Sequence, residues 1–352
     1  RLTASLNVIR AGPAMTIQDL GRPGYARVGL SAGGAMAPYA LAEGAVLLGN
    51  TPDSADIEMA VAGGDIAIET QPLWLALTGA PMRASLDGQA LSWRSSFCAQ
   101  PGQVLNIGAV TTEGDARGTY GYLHVAGGLD TPREIGSRSN HLRAGIGGVD
   151  GKPLSSGIAL PVMSPARQST GYRQLPAPEY LGRREIRILW GPQSNRFTDA
   201  TRQRLLDESF RMSHRRDRMA MRLDMASGQP LESLLSGISD PAMVGDIQIT
   251  GDGLPAILMR EHQPTGGYPR IATVITADLA VAAQMPVGTQ IRFRLVTTEE
   301  AISALRRWQD DIDSLADRIS PVIRSAEQWG NLLDYNLIGG VVSADPFSGD
   351  AQ

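Results

Sequence analysis

Glu261-His262-Gln263-Pro264-Thr265-Gly266-Gly267-Tyr268-Pro269 packs an acid, an imidazole, an amide, a hydroxyl and a phenol into nine residues. Two adjacent glycines allow positive φ or close approach of the backbone to a ligand. Two prolines stiffen the segment. Apolar runs flank it, Pro255–Met259 before and Ile271–Ile275 after, and both read as buried strands. The segment is therefore a polar loop between two core strands, a place where binding residues concentrate. A plain glycine turn of a β protein has the same pattern, so the rest of the chain has to decide.

At about 150 residues per domain, 352 residues predict two domains. Forty glycines, 22 prolines and many short apolar runs favour a turn-rich, mainly β fold. A net charge of −4 argues against nucleic acid as a partner. Lys152 is the lone lysine among 32 basic residues, so an anion site has to use arginine, backbone N–H or a helix N-terminus. Cys98 is the only cysteine, which excludes an internal disulfide and a multi-cysteine metal site; it reads as a small core residue. No metal site is expected. No apolar run approaches the ~18 residues of a membrane span, and nothing resembles a signal peptide. A cytoplasmic enzyme or enzyme subunit, with no membrane partner, is the expectation.

Before the Glu261–Pro269 loop, short runs at 5–11, 15–19, 57–61, 65–69, 73–77, 82–86, 104–107 and 120–126 recur with Gly or Pro between them, the pattern of a β barrel or sandwich. His124 lies in the last of these and reads as a core histidine. Gly29–Gly34 feeds an alanine-rich helix over 35–48, with Pro38 in its first turn and Gly49-Asn50 as its stop. The glycine loop lacks the Lys and Ser/Thr of a P-loop. Residues 127–157 are glycine-rich and polar with no long element, a composition typical of a functional loop. Arg138, Ser139 and His141 there could bind a carboxylate or amide, or simply belong to an ordered surface loop. In the second half, Thr198 caps a helix to about Phe210. Residues 213–223 are strongly basic and read as an anion site over a merely solvated face. Thr297-Thr298-Glu299-Glu300 is a capping box that opens a helix with Ile302, Leu305, Trp308, Ile312, Leu315 and Ile319 on one face. The predicted division is a first domain over 1–165, a linker over 166–185, a second domain over 186–297 and a helical tail over 298–352.

Six segments together resemble one family. They are Thr16–Gly24, Gly33–Met36 with the helix to Asn50, Val125–Asp130, Gly136–Ser139, Asp217–Met219 with Arg222-Leu223, and Thr265–Pro269. In this order they are similar to the allophanate hydrolase subunit 2 family, also called the 5-oxoprolinase C-subunit family. That family is itself similar to the carboxyltransferase domain of urea carboxylase. The resemblance implies two tandem cyclophilin-like β-barrel domains plus a C-terminal amphipathic helix. It also implies partnership with a cyclophilin-fold B-type subunit and with an A-type subunit. The activity it implies is ATP-dependent opening of a lactam to glutamate, with ATP acting at the level of the complex. The alternatives it implies are biotin-dependent carboxyl transfer to urea or a related amide, and a non-catalytic role as regulatory partner of a kinase inhibitor. No Ala-Met-Lys-Met is present and Lys152 sits in Gly-Lys-Pro, so biotin would have to be carried on another chain. The glycine frame of the family motifs is kept while polar positions differ, Ala37 and Glu261-His262 among them.

On this reading Tyr268, Gln263, Thr265 and His262 are the catalytic candidates. The substrate-binding candidates are Arg22, Arg138, His141, Arg218, Arg222 and Gln248, with Gly266 and Gly267 offering backbone N–H to developing negative charge.

Overall fold

The computed structural model describes residues 4–112, 117–164, 171–232 and 239–322. The architecture is mainly β with four α-helices among these residues.

In the first half, two sheets enclose one core. The six-stranded sheet runs in the order Ala159–Pro161, Ser5–Arg10, Asp65–Ile68, Val104–Val110, Met82–Leu86, Gln89–Ala90. The seven-stranded sheet runs Met15–Gln18, Asp56–Ala60, Tyr120–Val125, Leu73–Gly79, Ser95–Ala99, Arg173–Gln174, Ser320–Pro321. Period-two alternation turns Leu6, Val8, Ile66 and Ile68 inward from one sheet and Ile57, Met59, Leu75 and Leu77 from the other. Strand Tyr120–Val125 is buried on both faces. One face meets this core, and Tyr120 and Tyr122 on the other join the core of the second half.

Helix α1 (Pro38–Leu48) covers that strand. Proline at its start and Gly49 at φ 69° in the left-handed region bound it, as the sequence predicts. It lies so close that a Cβ on Gly44 would stand 2.1 Å from Nδ1 of His124. His124 is fully buried, with Nδ1 2.7 Å from the Asp56 carboxylate and Nε2 2.6 Å from the Thr78 hydroxyl. Sealed under α1, this trio holds helix to sheet, consistent with a core histidine.

In the second half seven strands close a barrel: Glu185–Trp190, Arg270–Val274, Asp246–Ile249, Pro255–Leu258, Ala220–Met225, Phe210–Arg216, Gln290–Leu295, and back to the first by a parallel pairing. Ile188, Phe210, Leu223, Ile247, Ile257 and Phe293 fill it. Helix α2 (Asp199–Asp207) starts where Thr198 accepts the N–H of Thr201 and ends before Phe210, which opens a strand instead. Helix α3 (Leu279–Gln284) is wholly buried.

Three expectations are modified. The Pro/Arg-rich stretch expected as a linker contributes Arg173–Gln174 to the first sheet, paired with Ser95 and with Ser320–Pro321. The glycine-rich stretch 127–157 is packed: Ser137, Ser139, Asn140 and His141 are buried, and the Asn140 amide accepts the N–H of Ile17 and donates to the carbonyls of Gly147 and Lys152. Helix α4 (Thr298–Asp313) has its full capping box, but buries Ala304 and partly buries Ala301, Trp308 and Ile312, and leaves Ile302 and Leu305 outward. Cys98 is half-buried on strand Ser95–Ala99 opposite Trp74, and burial pushes its thiol up. The tail expected beyond residue 322 lies outside the described residues.

Candidate functional site

Alternation along the barrel strands sends Met221 and Leu223 inward and Ala220 and Arg222 outward. Arg222 pairs across to Ala256, and Ala256 pairs across to Gln248. These three therefore form one cross-strand row on the outer face of the barrel. The Glu261–Pro269 loop overhangs that row. It leaves strand Pro255–Leu258, passes the end of strand Asp246–Ile249 and re-enters as strand Arg270–Val274. On the way, Thr265–Gly266 pairs with Asp240–Pro241. A cleft of about 470 Å³ results, with Ala220, Ala256 and Leu258 on its floor and Arg222, Gln248, Thr250, Gln263, Thr265 and Tyr268 around it. Gly266 lies close to Gln248: a Cβ there would stand 3.0 Å from the Gln248 amide nitrogen, which would have to shift.

The polar side chains of the cleft fall into two groups. Arg222 is held: it donates to the Thr250 hydroxyl at 2.9 Å and to the Asp252 carboxylate at 2.5 Å, while its Nε is buried without a partner. Burial alone would raise the Asp252 carboxyl. The Thr250 hydroxyl, the N–H of Leu254 and Arg222 outweigh that and hold it below its usual range. Gln248, Gln263, Thr265 and Tyr268 make no side-chain hydrogen bond among the described residues, so their donors and acceptors stay open to a ligand. An arginine fork suits a carboxylate; amides, hydroxyl and phenol suit an amide's N–H and C=O.

Asp217 also lines the cleft, at the turn between strands Phe210–Arg216 and Ala220–Met225. Its Oδ1 accepts the N–H groups of Met219 and Ala220, fixing the turn and leaving Oδ2 as a carboxylate oxygen at the cleft. The sequence marks Asp217 only as part of a motif and does not single it out as a site residue. Thr250 escapes sequence reasoning as well, because nothing local marks it before Arg222 is known to reach it.

Five candidates lie elsewhere. Arg218 points away from the cleft into a buried cluster between the halves, where it pairs with Glu58 and with Glu261 at 2.5 Å and donates to the Gly34 carbonyl at 2.6 Å. Burial would lower its pKa, but the two carboxylates more than compensate and raise it. Glu58 also accepts the Met36 N–H and the Tyr122 hydroxyl, so one cation ties strand Asp56–Ala60, the approach to α1 and the loop at Glu261 together. His141 is buried beside that cluster, its Nε2 2.9 Å from the Ser31 hydroxyl and its Nδ1 3.9 Å from Glu261. Burial lowers its pKa against the pull of Glu261. Arg22 donates from Nε to the Glu134 carbonyl and from Nη2 to the Ser139 carbonyl, while its Nη1 is buried without a partner. Arg138 holds the Leu129 carbonyl and Asp130. His262 turns both ring nitrogens to main-chain carbonyls, Met259 at 2.9 Å and Ala242 at 3.1 Å. Each replaces an expected ligand contact with an internal one: a buried guanidinium or imidazole takes the nearest acceptor. Gly267 lies in the overhanging loop but does not line the cleft.

The family model described as carboxyltransferase domain, subdomain A and B, matches residues 28–295. The C subunit of 5-oxoprolinase from Escherichia coli (strain K12) is 36% identical over 321 residues, 89% of this chain and 98% of that protein. The urea amidolyase of Saccharomyces cerevisiae is 26% identical over 326 residues, 87% of this chain but 17% of that protein. The crystal structure of K. lactis urea amidolyase superposes with a TM-score of 0.79 at 22% identity, over 92% of this chain and 21% of that one, a likeness of fold.

Proposed function

The chain belongs to the family of the carboxyltransferase domain, subdomain A and B, and from that premise we propose that it is the C-type component of a 5-oxoprolinase-like complex, with the outer-face cleft as its amide site. The observation that carries the reading is the guanidinium of Arg222, held by Thr250 and Asp252, beside four uncommitted hydrogen-bonding side chains over an apolar floor. A small lactam carrying a carboxylate presents the complementary set. Arg222 takes the carboxylate, while Gln248, Gln263, Thr265 and Tyr268 hold the ring amide, and Asp217 is the carboxylate nearest to act on a proton. ATP and the remaining catalytic groups come from A-type and B-type partner subunits. In the assembled complex, Arg222→Ala raises KM for the lactam and Tyr268→Phe lowers kcat, both with folding intact. Unchanged kinetics in both variants would refute the assignment of the cleft.

The family match also favours a second reading, carboxyl transfer to an amide from biotin carried on another chain. It uses the same cleft and predicts bicarbonate-dependent, avidin-sensitive activity.

A further inference from the structure

A second cleft, of about 490 Å³, lies where the two halves meet, away from the barrel's outer face. Arg117 reaches it from the first half, Arg183 and Arg184 from the connecting segment, and Arg211 from the barrel. Among the described residues the remaining lining is apolar or uncharged, centred on the turn Met285 to Gln290. The chain as a whole carries −4, so four guanidinium groups at one concavity are not a sample of its average surface.

The walls are fixed in advance. Arg216 donates to the carbonyls of Met285 and Ala283 from behind, and the Thr119 hydroxyl donates to Met285 at 3.3 Å. Gly288, at φ 82°, makes the turn and gives its N–H to Met212. Both Nη atoms of Arg183 donate to the fully buried Asp278, at 3.0 and 3.3 Å, which Arg187 shares, so Arg183 lends charge to the cleft while Arg184 and Arg211 offer open forks. The guanidinium groups of Arg184 and Arg211 have no hydrogen bond or ion pair among the described residues. Guanidinium forks match phosphate and carboxylate oxygens in bidentate fashion. Arginines drawn from three chain segments suit an anion longer than one such group.

We propose that this seam cleft is a binding site for a small anion bearing two or more phosphate or carboxylate groups, held by Arg184 and Arg211 with Arg117 and Arg183. It is independent of the amide site proposed above. A ligand here would touch both halves and the connector together, and would hold their relative position.

The test is calorimetric titration of the purified chain with sodium tripolyphosphate and, separately, with citrate. The expected result is saturable one-to-one binding, weakened at least about tenfold in Arg184→Ala/Arg211→Ala, since charge-assisted contacts are lost. The relative affinity of the two probes identifies phosphate or carboxylate as the preferred group. Arg27→Ala/Arg306→Ala removes the same charge from exposed positions elsewhere and keeps full binding. Arg222→Ala keeps it as well. Failure of both probes to saturate, or equal weakening in the two double variants, would overturn the site.

Discussion

Arg218→Met removes the cation that pairs with both Glu58 and Glu261 in the cluster that joins the halves. Its side chain is 10% exposed, and Glu58 and Glu261 are each 2% exposed. The substitution leaves two buried carboxylates facing each other and the Gly34 carbonyl without its donor. Breaking a buried pair from one side costs about 3–5 kcal/mol, because the partner charge stays desolvated. Removing the three paired charges together is milder, since neither carboxylate is then left buried without its cation. Glu58→Gln/Arg218→Met/Glu261→Gln is therefore expected to recover at least about half of the loss, a non-additivity typical of residues in one network. Urea unfolding followed by tryptophan fluorescence reads this directly. Trp74 and Trp93 report the first half and Trp190 the barrel. The single variant should also split the transition, as the halves lose their ionic tie. A loss below about 1 kcal/mol, the level of an exposed pair, or a triple variant no more stable than the single one, would refute the reasoning.

Two further outcomes follow from the same structure. Gly44→Ala drives a methyl to 2.1 Å from a His124 ring pinned by Asp56 and Thr78, so it should destabilise by about 3 kcal/mol, at the upper end for overpacking, or prevent folding; a thermal midpoint within error of the parent would contradict that packing. His141 has a folded pKa below its ordinary 6.5, so the unfolded chain binds the proton more tightly and the histidine's contribution is lost as pH falls from that value toward the lowered one. His141→Gln should flatten the fall in urea midpoint between about pH 7 and 5, and an unchanged slope would assign the effect to other groups.

Much of this fold is legible locally. Pro38 and Gly49 bound α1, Thr297 and Glu300 open α4, and the alternation of Ile247, Ile249, Ile271 and Ile291 marks barrel strands. What fails locally depends on distant partners. Arg218 looks like an anion clamp until Glu58, 160 residues away in sequence, is brought against it. Arg22, Arg138 and His262 are hidden for another reason: main-chain carbonyls, near or far in the chain, accept from each of them and leave no trace in composition. Strand Ser95–Ala99 escapes a reading by apolar runs because two serines begin it, although both are buried. The buried face of α4 is hidden because Ala301 and Ala304, small enough to let the helix approach the barrel, carry little hydrophobic signal beside Ile302 and Leu305. The cleft residues Arg222, Gln248 and Tyr268 are legible as types, but the first two meet through strand register and Tyr268 joins them through the overhanging loop.

The most direct measurement is lactam opening by the assembled system. The chain is co-purified with its B-type and A-type partner subunits and supplied with 5-oxoproline and ATP, with and without avidin. The expected result is glutamate release that requires this chain, is insensitive to avidin and fails in Arg222→Ala at low substrate. Release without this chain, or activity that appears only with bicarbonate and is abolished by avidin, would contradict it.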